Sequence, residues 1–218
     1  MGFNVAIDGP AGAGKSTIAK LVAKELGFIY VDTGAMYRAI ALYLLNKGIA
    51  LDDQEGFAKY CKEADVTIKY IDGIQVVMLN GENVNAFIRT EAVGNMASAS
   101  SANPEVRNRL LSLQRNLAEE FDVVMDGRDI GTNILPNAQV KIFLTASADV
   151  RAKRRYDELT AKGEECDYEK IKADIIERDE RDSNRAVAPL KQADDAHFID
   201  SSDMTIEEVK NAIIAFCR

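Results

Sequence analysis

Gly9-Pro10-Ala11-Gly12-Ala13-Gly14-Lys15-Ser16, followed by Thr17, is the stretch of this chain best suited to chemistry. Glycines let successive backbone N–H groups converge on one anion. A helix beginning at Lys15 would add free N–H groups and partial positive charge. Lys15 brings a full charge that can reach the outer phosphates of a nucleotide, and the Ser16 hydroxyl can meet a phosphate-bound Mg²⁺. The flanks suit this use. The apolar run Phe3–Asp8 reads as a strand, and Ile18, Leu21, Val22 and Leu26 follow with helical spacing up to Gly27. Strand, glycine loop and helix together make a phosphate-binding P-loop, where a glycine-rich turn alone would carry no such implication.

Other charged residues fall at strand ends and in clusters. Asp8, Asp32 and Asp126 each close an apolar run, where ligands bind in parallel α/β sheets. Asp126 is placed to organise Mg²⁺ through water, or else to cap a turn. Arg151, Lys153, Arg154 and Arg155 form one basic group, and Arg178, Arg181 and Arg185 another. Such groups suit a small, highly anionic ligand, although pairing with nearby carboxylates on a solvated helix face explains some members equally well. Arg38 is read into the first turn of a helix, where the dipole disfavours a cation unless an anion lies close by.

The remaining composition narrows the field. The 218 residues carry a net charge of −8, against what a protein tracking long nucleic acids needs. Three scattered cysteines, Cys61, Cys166 and Cys217, read as reduced thiols, and the single histidine, His197, as structural. No apolar run reaches membrane-spanning length and the N-terminus lacks a charged-then-apolar leader, so a cytoplasmic protein without a membrane partner is expected.

The elements that must position these groups alternate between strand and helix. Strands are expected at 28–31, 122–126, 140–144 and 197–200. Helices are expected after Asp32-Thr33-Gly34, at about 52–64, from Pro104 to Glu120, after Ser147, from about Tyr168 to Ala188-Pro189, and from Thr205 to Phe216. Arg178, Asp182 and Arg185 would share one helical face. Asp72-Gly73 and Asn80-Gly81, set between β-prone runs, predict an antiparallel meander over about 65–90. Residues 91–103 are small and polar. The fold class is α/β: a P-loop NTPase-like parallel sheet flanked by helices, with a small antiparallel β insertion and a helical lid.

Taken together, Ile7-Asp8-Gly9-Pro10, the run Val31–Arg38, Gly127-Arg128-Asp129-Ile130-Gly131-Thr132 and Arg178–Leu190 resemble the bacterial-type cytidylate kinases among the nucleoside monophosphate kinases. The likeness covers essentially the whole chain. It implies one domain over 1–218, with a CMP-binding insertion at about 65–93 and a lid at about 150–168. The implied reaction is transfer of phosphate from ATP to CMP or dCMP, with Mg²⁺, in pyrimidine nucleotide metabolism, by a monomer. Carried over residue by residue, Lys15, Arg128 and Arg185 would be catalytic. Gly9 through Thr17 and Arg154 would bind ATP. Ser98, Arg107 and Asp129 would read cytosine; Arg38, Arg128 and Arg185 would hold the acceptor phosphate, near Thr33; Arg178 and Asp182 would meet the ribose. Ser16 would touch Mg²⁺ directly and Asp126 through water.

The chemistry suits such a reaction independently. A phosphate monoester with a second pKa of about 6 is already largely ionised near neutrality and needs no general base. Its difficulty is repulsion between two anionic groups, which guanidinium groups, a lysine and a divalent cation relieve. A P-loop kinase for another nucleoside monophosphate or a hydroxylated metabolite stays open, with Asp32 as base for a hydroxyl acceptor. So does a nucleotide-dependent switch.

Overall fold

The computed structural model describes residues 2–218. The chain begins with β1 (Asn4–Asp8), α1 (Lys15–Leu26), β2 (Ile29–Asp32) and α2 (Thr33–Asn46). A short helix α3 (Gln54–Tyr60) and a 3-10 turn lead into the hairpin β3 (Val66–Ile71) and β4 (Ile74–Leu79), then a brief strand β5 (Glu82–Asn83). Next come α4 (Glu91–Ser100), α5 (Pro104–Glu120), β6 (Val123–Gly127), a π-helical turn at Ile130–Ile134 and β7 (Val140–Thr145). Two long helices, α6 (Ala148–Ala161) and α7 (Tyr168–Asn184), precede β8 (His197–Asp200) and α8 (Ile206–Phe216).

Five strands form one parallel sheet in the order β2-β6-β1-β7-β8. β1 and β6 are buried throughout, as strands covered on both faces must be. Alternating side chains feed two cores. Ala6, Val123 and Met125 point to the side of α2, α4 and α5, where Met36, Ile40, Leu44, Met96 and Leu110 pack. Val5, Ile7 and Val124 point the other way, to Ile18 and Val22 of α1 and Ile213 of α8. The His197 ring stacks on Phe216 with centroids 3.7 Å apart, the structural part expected of it. This architecture sets the carboxyl ends of β1, β2 and β6, and so Asp8, Asp32 and Asp126, along one rim. No described helix is long and apolar enough to cross a membrane.

The insertion is a separate sheet in the order β3-β4-β5. Both turn dipeptides adopt positive φ at each residue, Asp72-Gly73 at 51° and 74° and Asn80-Gly81 at 50° and 85°. That geometry matches the twist of the strands that they join. The insertion meets the open edge of β2 through side chains. The carboxamide of Gln75 accepts from Asp32 N–H at 2.8 Å and donates to Asp32 C=O at 3.2 Å. The Tyr70 hydroxyl donates to Tyr30 C=O at 3.1 Å.

Two expectations need correction, and one segment to which the sequence assigned no element gains one. The small polar segment after residue 90 is helical, capped by Thr90 and buried through Val93, Met96 and Ala97. α2 starts at Thr33, so Arg38 lies in its second turn, beyond the steepest part of the dipole field. α7 stops at Asn184 rather than at Ala188-Pro189, and Arg185 is extended at φ −65°, ψ 141°. The Asp182 carbonyl accepts from Leu190 N–H, and Ala188, before Pro189, has φ +48°, so the helix does not continue through it. Arg185 therefore reaches the helical pair Arg178 and Asp182 from the following loop.

Gln75→Ala leaves the buried Asp32 N–H without its partner and removes one of the donors to Asp32 C=O, which still caps α2. At about 1–3 kcal/mol for an unsatisfied buried group, and about 2–4 °C per kcal/mol in a chain of this size, a melting point lowered by several degrees is expected in a thermal scan. An unchanged Tm means the carboxamide does not hold the insertion to the sheet.

Candidate active site

The glycine loop between β1 and α1 is built for close approach. Gly9 has φ +149°, and a Cβ there would lie 1.9 Å from Leu144 O, so only glycine fits. Gly12 and Gly14 also have positive φ, at 77° and 87°. Gly14 is the N-cap of α1 and gives no side-chain cap, whereas each of the other seven α-helices has one. The first turn of α1 also lacks an acidic residue. Its free N–H groups and positive dipole end are left for an anion. Lys15 is buried with Nζ donating to Pro10 O at 2.7 Å. Burial, then the nearby Arg128 guanidinium, push its ammonium well below the usual lysine range, against Asp126 and Asp8. Pro10 and Ala13 are buried in the loop, and Thr17 is exposed behind Ser16.

The strand-end carboxylates divide their tasks. Asp126 Oδ2 accepts from the Ser16 hydroxyl at 2.9 Å and Oδ1 from the Tyr30 hydroxyl at 2.8 Å. Burial, then Asp32, push the Asp126 carboxyl up to about 6, opposed by Lys15. The Thr33 hydroxyl donates to Asp126 O at 2.7 Å. Asp32 caps α2 through Ala35 N–H at 2.9 Å with Oδ1, and pairs through Oδ2 with Arg89 at 2.6 Å. Asp8 accepts from Ile130 N–H at 2.8 Å and Gly131 N–H at 2.7 Å, and so pins the loop that carries Arg128 and Asp129 beside the P-loop. Burial pushes its carboxyl up to about 7 despite those two donors.

Opposite the P-loop lies a ring of guanidinium groups. Arg128 Nε pairs with Asp182 Oδ2 at 3.0 Å. Against burial, Arg128 and Arg178 hold the Asp182 carboxyl below its usual range. Arg107 pairs with buried Asp129, whose other oxygen lies 3.6 Å from Arg185 Nη2. Asn133 Nδ2 also donates to Asp129 at 3.1 Å. Arg107 and Asn133 line a small pocket of about 180 Å³ with Tyr37, Asn108 and Val187. Ser98 is buried, and its hydroxyl has no protein partner. Arg38 and Arg178 stand apart: neither makes an ion pair with any described residue, and buried Nε of Arg178 has no acceptor. Burial, then Arg128, push Arg178 down to about 10; burial lowers Arg38 as well, opposed by Asp32. Two half-buried cations without counter-ions form a vacancy for negative charge.

The basic group on α6 splits. Arg154 is exposed, donates to Ser201 O at 2.9 Å, and leans toward Gly14, where a Cβ would lie 3.9 Å from its Nη1. Arg151 is instead a buried staple. It donates to Ala146 O, to Ala11 O at 3.0 Å and to Asp179 through both terminal nitrogens. Lys153 and Arg155 make exposed pairs with Asp157 and Glu158. The residues that the sequence did not single out for roles here are Tyr30, Asn133 and Arg89. Tyr30 shares its strand face with Asp32 by period two, which a strand reading could have exposed. Arg89, isolated in a turn, carries no local pattern.

Comparison with known proteins agrees with this geometry. A family model described as cytidylate kinase matches residues 5–218. The cytidylate kinase of Caldicellulosiruptor saccharolyticus is 51% identical over 212 residues, covering 97% of this chain and 94% of its own. That of Shouchella clausii is 49% identical over 213 residues, covering 98% and 95%. A crystal structure of an uncharacterized protein from Eubacterium ventriosum shares the fold at a TM-score of 0.52 and 14% identity, covering 98% of this chain and 97% of that one. With strand-ended carboxylates, an open helix N-terminus and a guanidinium ring along one rim, and relatives matching from end to end, the chain belongs to the cytidylate kinase family.

Proposed function

We propose that this chain moves the γ-phosphoryl group of ATP onto the phosphate of CMP or dCMP, giving ADP and CDP or dCDP. The observation that carries the reading is the pair of half-buried, unpaired guanidiniums, Arg38 and Arg178, set close to Arg128 and Lys15. A dianionic acceptor supplies the missing negative charge, and ATP fills the uncapped α1 terminus.

The P-loop from Gly9 to Thr17 grips the donor phosphates, with Arg154 above it. Arg38, Arg128 and Arg185 orient the acceptor phosphate beside Thr33, and Arg178 with Asp182 faces the ribose, with the Arg178 charge still close enough to Lys15 and Arg128 to act on that phosphate. Asp129 and Arg107 offer an acceptor and donors to the cytosine edge, near Ser98. An acceptor oxygen attacks the γ-phosphorus, the bond to the β–γ bridging oxygen breaks, and ADP carries away that electron pair. Lys15, Arg128 and Arg185 offset charge as it redistributes. The insertion at about 65–93 and the lid at about 150–168 exclude water around the reacting groups.

No described group of three or more His, Cys, Asp or Glu side chains could hold a metal alone. The hard oxygens of Ser16 and Asp126, 2.9 Å apart, nonetheless suit Mg²⁺ that is held largely by substrate phosphates. The ion would supply charge neutralisation at the phosphates. A hydroxyl acceptor fits less well, because both oxygens of Asp32, its would-be base, are engaged.

Lys15→Ala is expected to lower kcat by about 10²–10³-fold without loss of the folded circular-dichroism spectrum. Retained turnover removes the assigned role of the loop. Asp129→Asn is expected to raise KM for CMP by about tenfold or more and KM for ATP by less than about twofold in a coupled ADP-release assay with CMP, dCMP, UMP and AMP. Equal losses for donor and acceptor mean that Asp129 does not read the base. Lowering the pH protonates two groups that the reaction needs as anions, Asp126 near 6 and the acceptor phosphate at about 6. Rate should therefore fall below about pH 6 with a log slope greater than one. A slope of one assigns the limb to a single group.

A further inference from the structure

Arg89 enters the site from the insertion, between the anchoring side chain of Ile88, 1% exposed, and the α4 cap Thr90. Its Nη2 lies 2.6 Å from Asp32 Oδ2, and 54% of its side chain is exposed while only 7% of that of Asp32 is. Asp32 is a junction. Its Oδ1 fixes the first turn of α2, the helix that carries Thr33, Tyr37 and Arg38, and its backbone is held by Gln75 of the insertion. It also lies beside Asp126 across the β2–β6 register. An uncompensated carboxylate at this point would repel both the acceptor phosphate and Asp126.

We propose that Arg89 is a positioning residue for phosphoryl transfer: by pairing with Asp32 it ties the insertion to the start of α2 and cancels a negative charge that faces the acceptor phosphate. The proposal rests on the monophosphate-acceptor reading above. Three elements meet in this one pair. The insertion supplies Arg89, β2 supplies Asp32, and α2 presents Arg38, whose Nη1 lies 3.3 Å from where a Gly34 Cβ would stand, with Asp32 Oδ1 at 3.2 Å from the same point. Arg38 and Arg89 thus flank one carboxylate. With Arg89 in place, Asp32 need not recruit Arg38, whose guanidinium stays available to the acceptor.

The test compares steady-state kinetics and melting of the wild type, Arg89→Ala, Arg89→Lys, Asp32→Asn and the Arg89→Ala/Asp32→Asn double variant. Asparagine keeps the ability to cap α2 while losing the charge. A pair with one half-exposed partner lies between surface and buried salt bridges in strength, so Arg89→Ala is expected to raise KM for CMP about tenfold. KM for ATP should change less than about twofold, and Arg89→Lys should recover most of the loss. The double variant should bind CMP better than Arg89→Ala alone, because the uncancelled charge has gone. Equal changes in the two KM values, a lowered Tm with unchanged CMP kinetics, or a double variant no better than the single one overturns the proposal. Failure of the wild type to phosphorylate CMP instead overturns the acceptor reading itself.

Discussion

Positive charge that the protein does not neutralise is the constraint on which the rest of this structure turns. Arg128 and Arg178 add to burial in lowering the proton affinity of Lys15, and Arg128 does the same to Arg38 and Arg178. Unit charges a few ångströms apart repel by about 4 kcal/mol at an effective dielectric constant of 20. Holding them together without a ligand requires rigid supports. Each support is visible: the five-stranded sheet behind the P-loop, the carboxylate of Asp182 behind Arg128, and that of Asp129 between Arg107 and Arg185. The fold stores an electrostatic deficit that an anionic ligand relieves, which is the form of preorganisation that phosphoryl transfer uses.

The carboxylates at the rim balance this deficit without abolishing it. Asp8 is spent on backbone N–H groups, Asp126 on two hydroxyls and Asp32 on a helix cap and Arg89. None of the three forms an ion pair with Lys15, Arg38 or Arg178 among the described contacts. Arg151 adds mechanical rather than electrostatic service. By bonding to Ala11 O and Asp179, it joins the P-loop to α7, the helix that carries Arg178 and Asp182. The P-loop and α7 are therefore braced against each other by a side chain that the sequence presents merely as one of four basic neighbours.

What the sequence made legible was local. Glycine spacing marked the P-loop, apolar runs ending in aspartate marked β1, β2 and β6, and Asp-Gly and Asn-Gly marked the insertion's turns. What stayed hidden depends on contacts distant along the chain. α4 lacks the large apolar periodicity of α2; its helix is fixed by the Thr90 cap and by packing of Val93 and Met96. α7 ends where Leu190 bonds back to Asp182, so Arg185, expected on the helix face, comes to Asp129 from the loop instead. Arg89 meets Asp32 across 57 positions, a distance at which composition and spacing are silent. The arginines could be named one by one, but which carboxylate holds which guanidinium is a property of the folded rim.

The way Gln75 meets β2 has a mechanical consequence. A side-chain amide here imitates a neighbouring strand for a single residue, satisfying both polar groups of Asp32 and extending no ladder beyond it. At about 1 kcal/mol for a typical hydrogen bond, such a joint yields at far smaller cost than continuous strand pairing would. The appended sheet is held to β2 at separate points rather than by a ladder: by this amide, by Tyr70 on Tyr30 C=O and by Arg89 on Asp32, with Val77 and Leu79 packed into the core beside α2. Meanwhile the flank of β2 offers little purchase to a foreign strand, so the same amide serves as both fastening and guard.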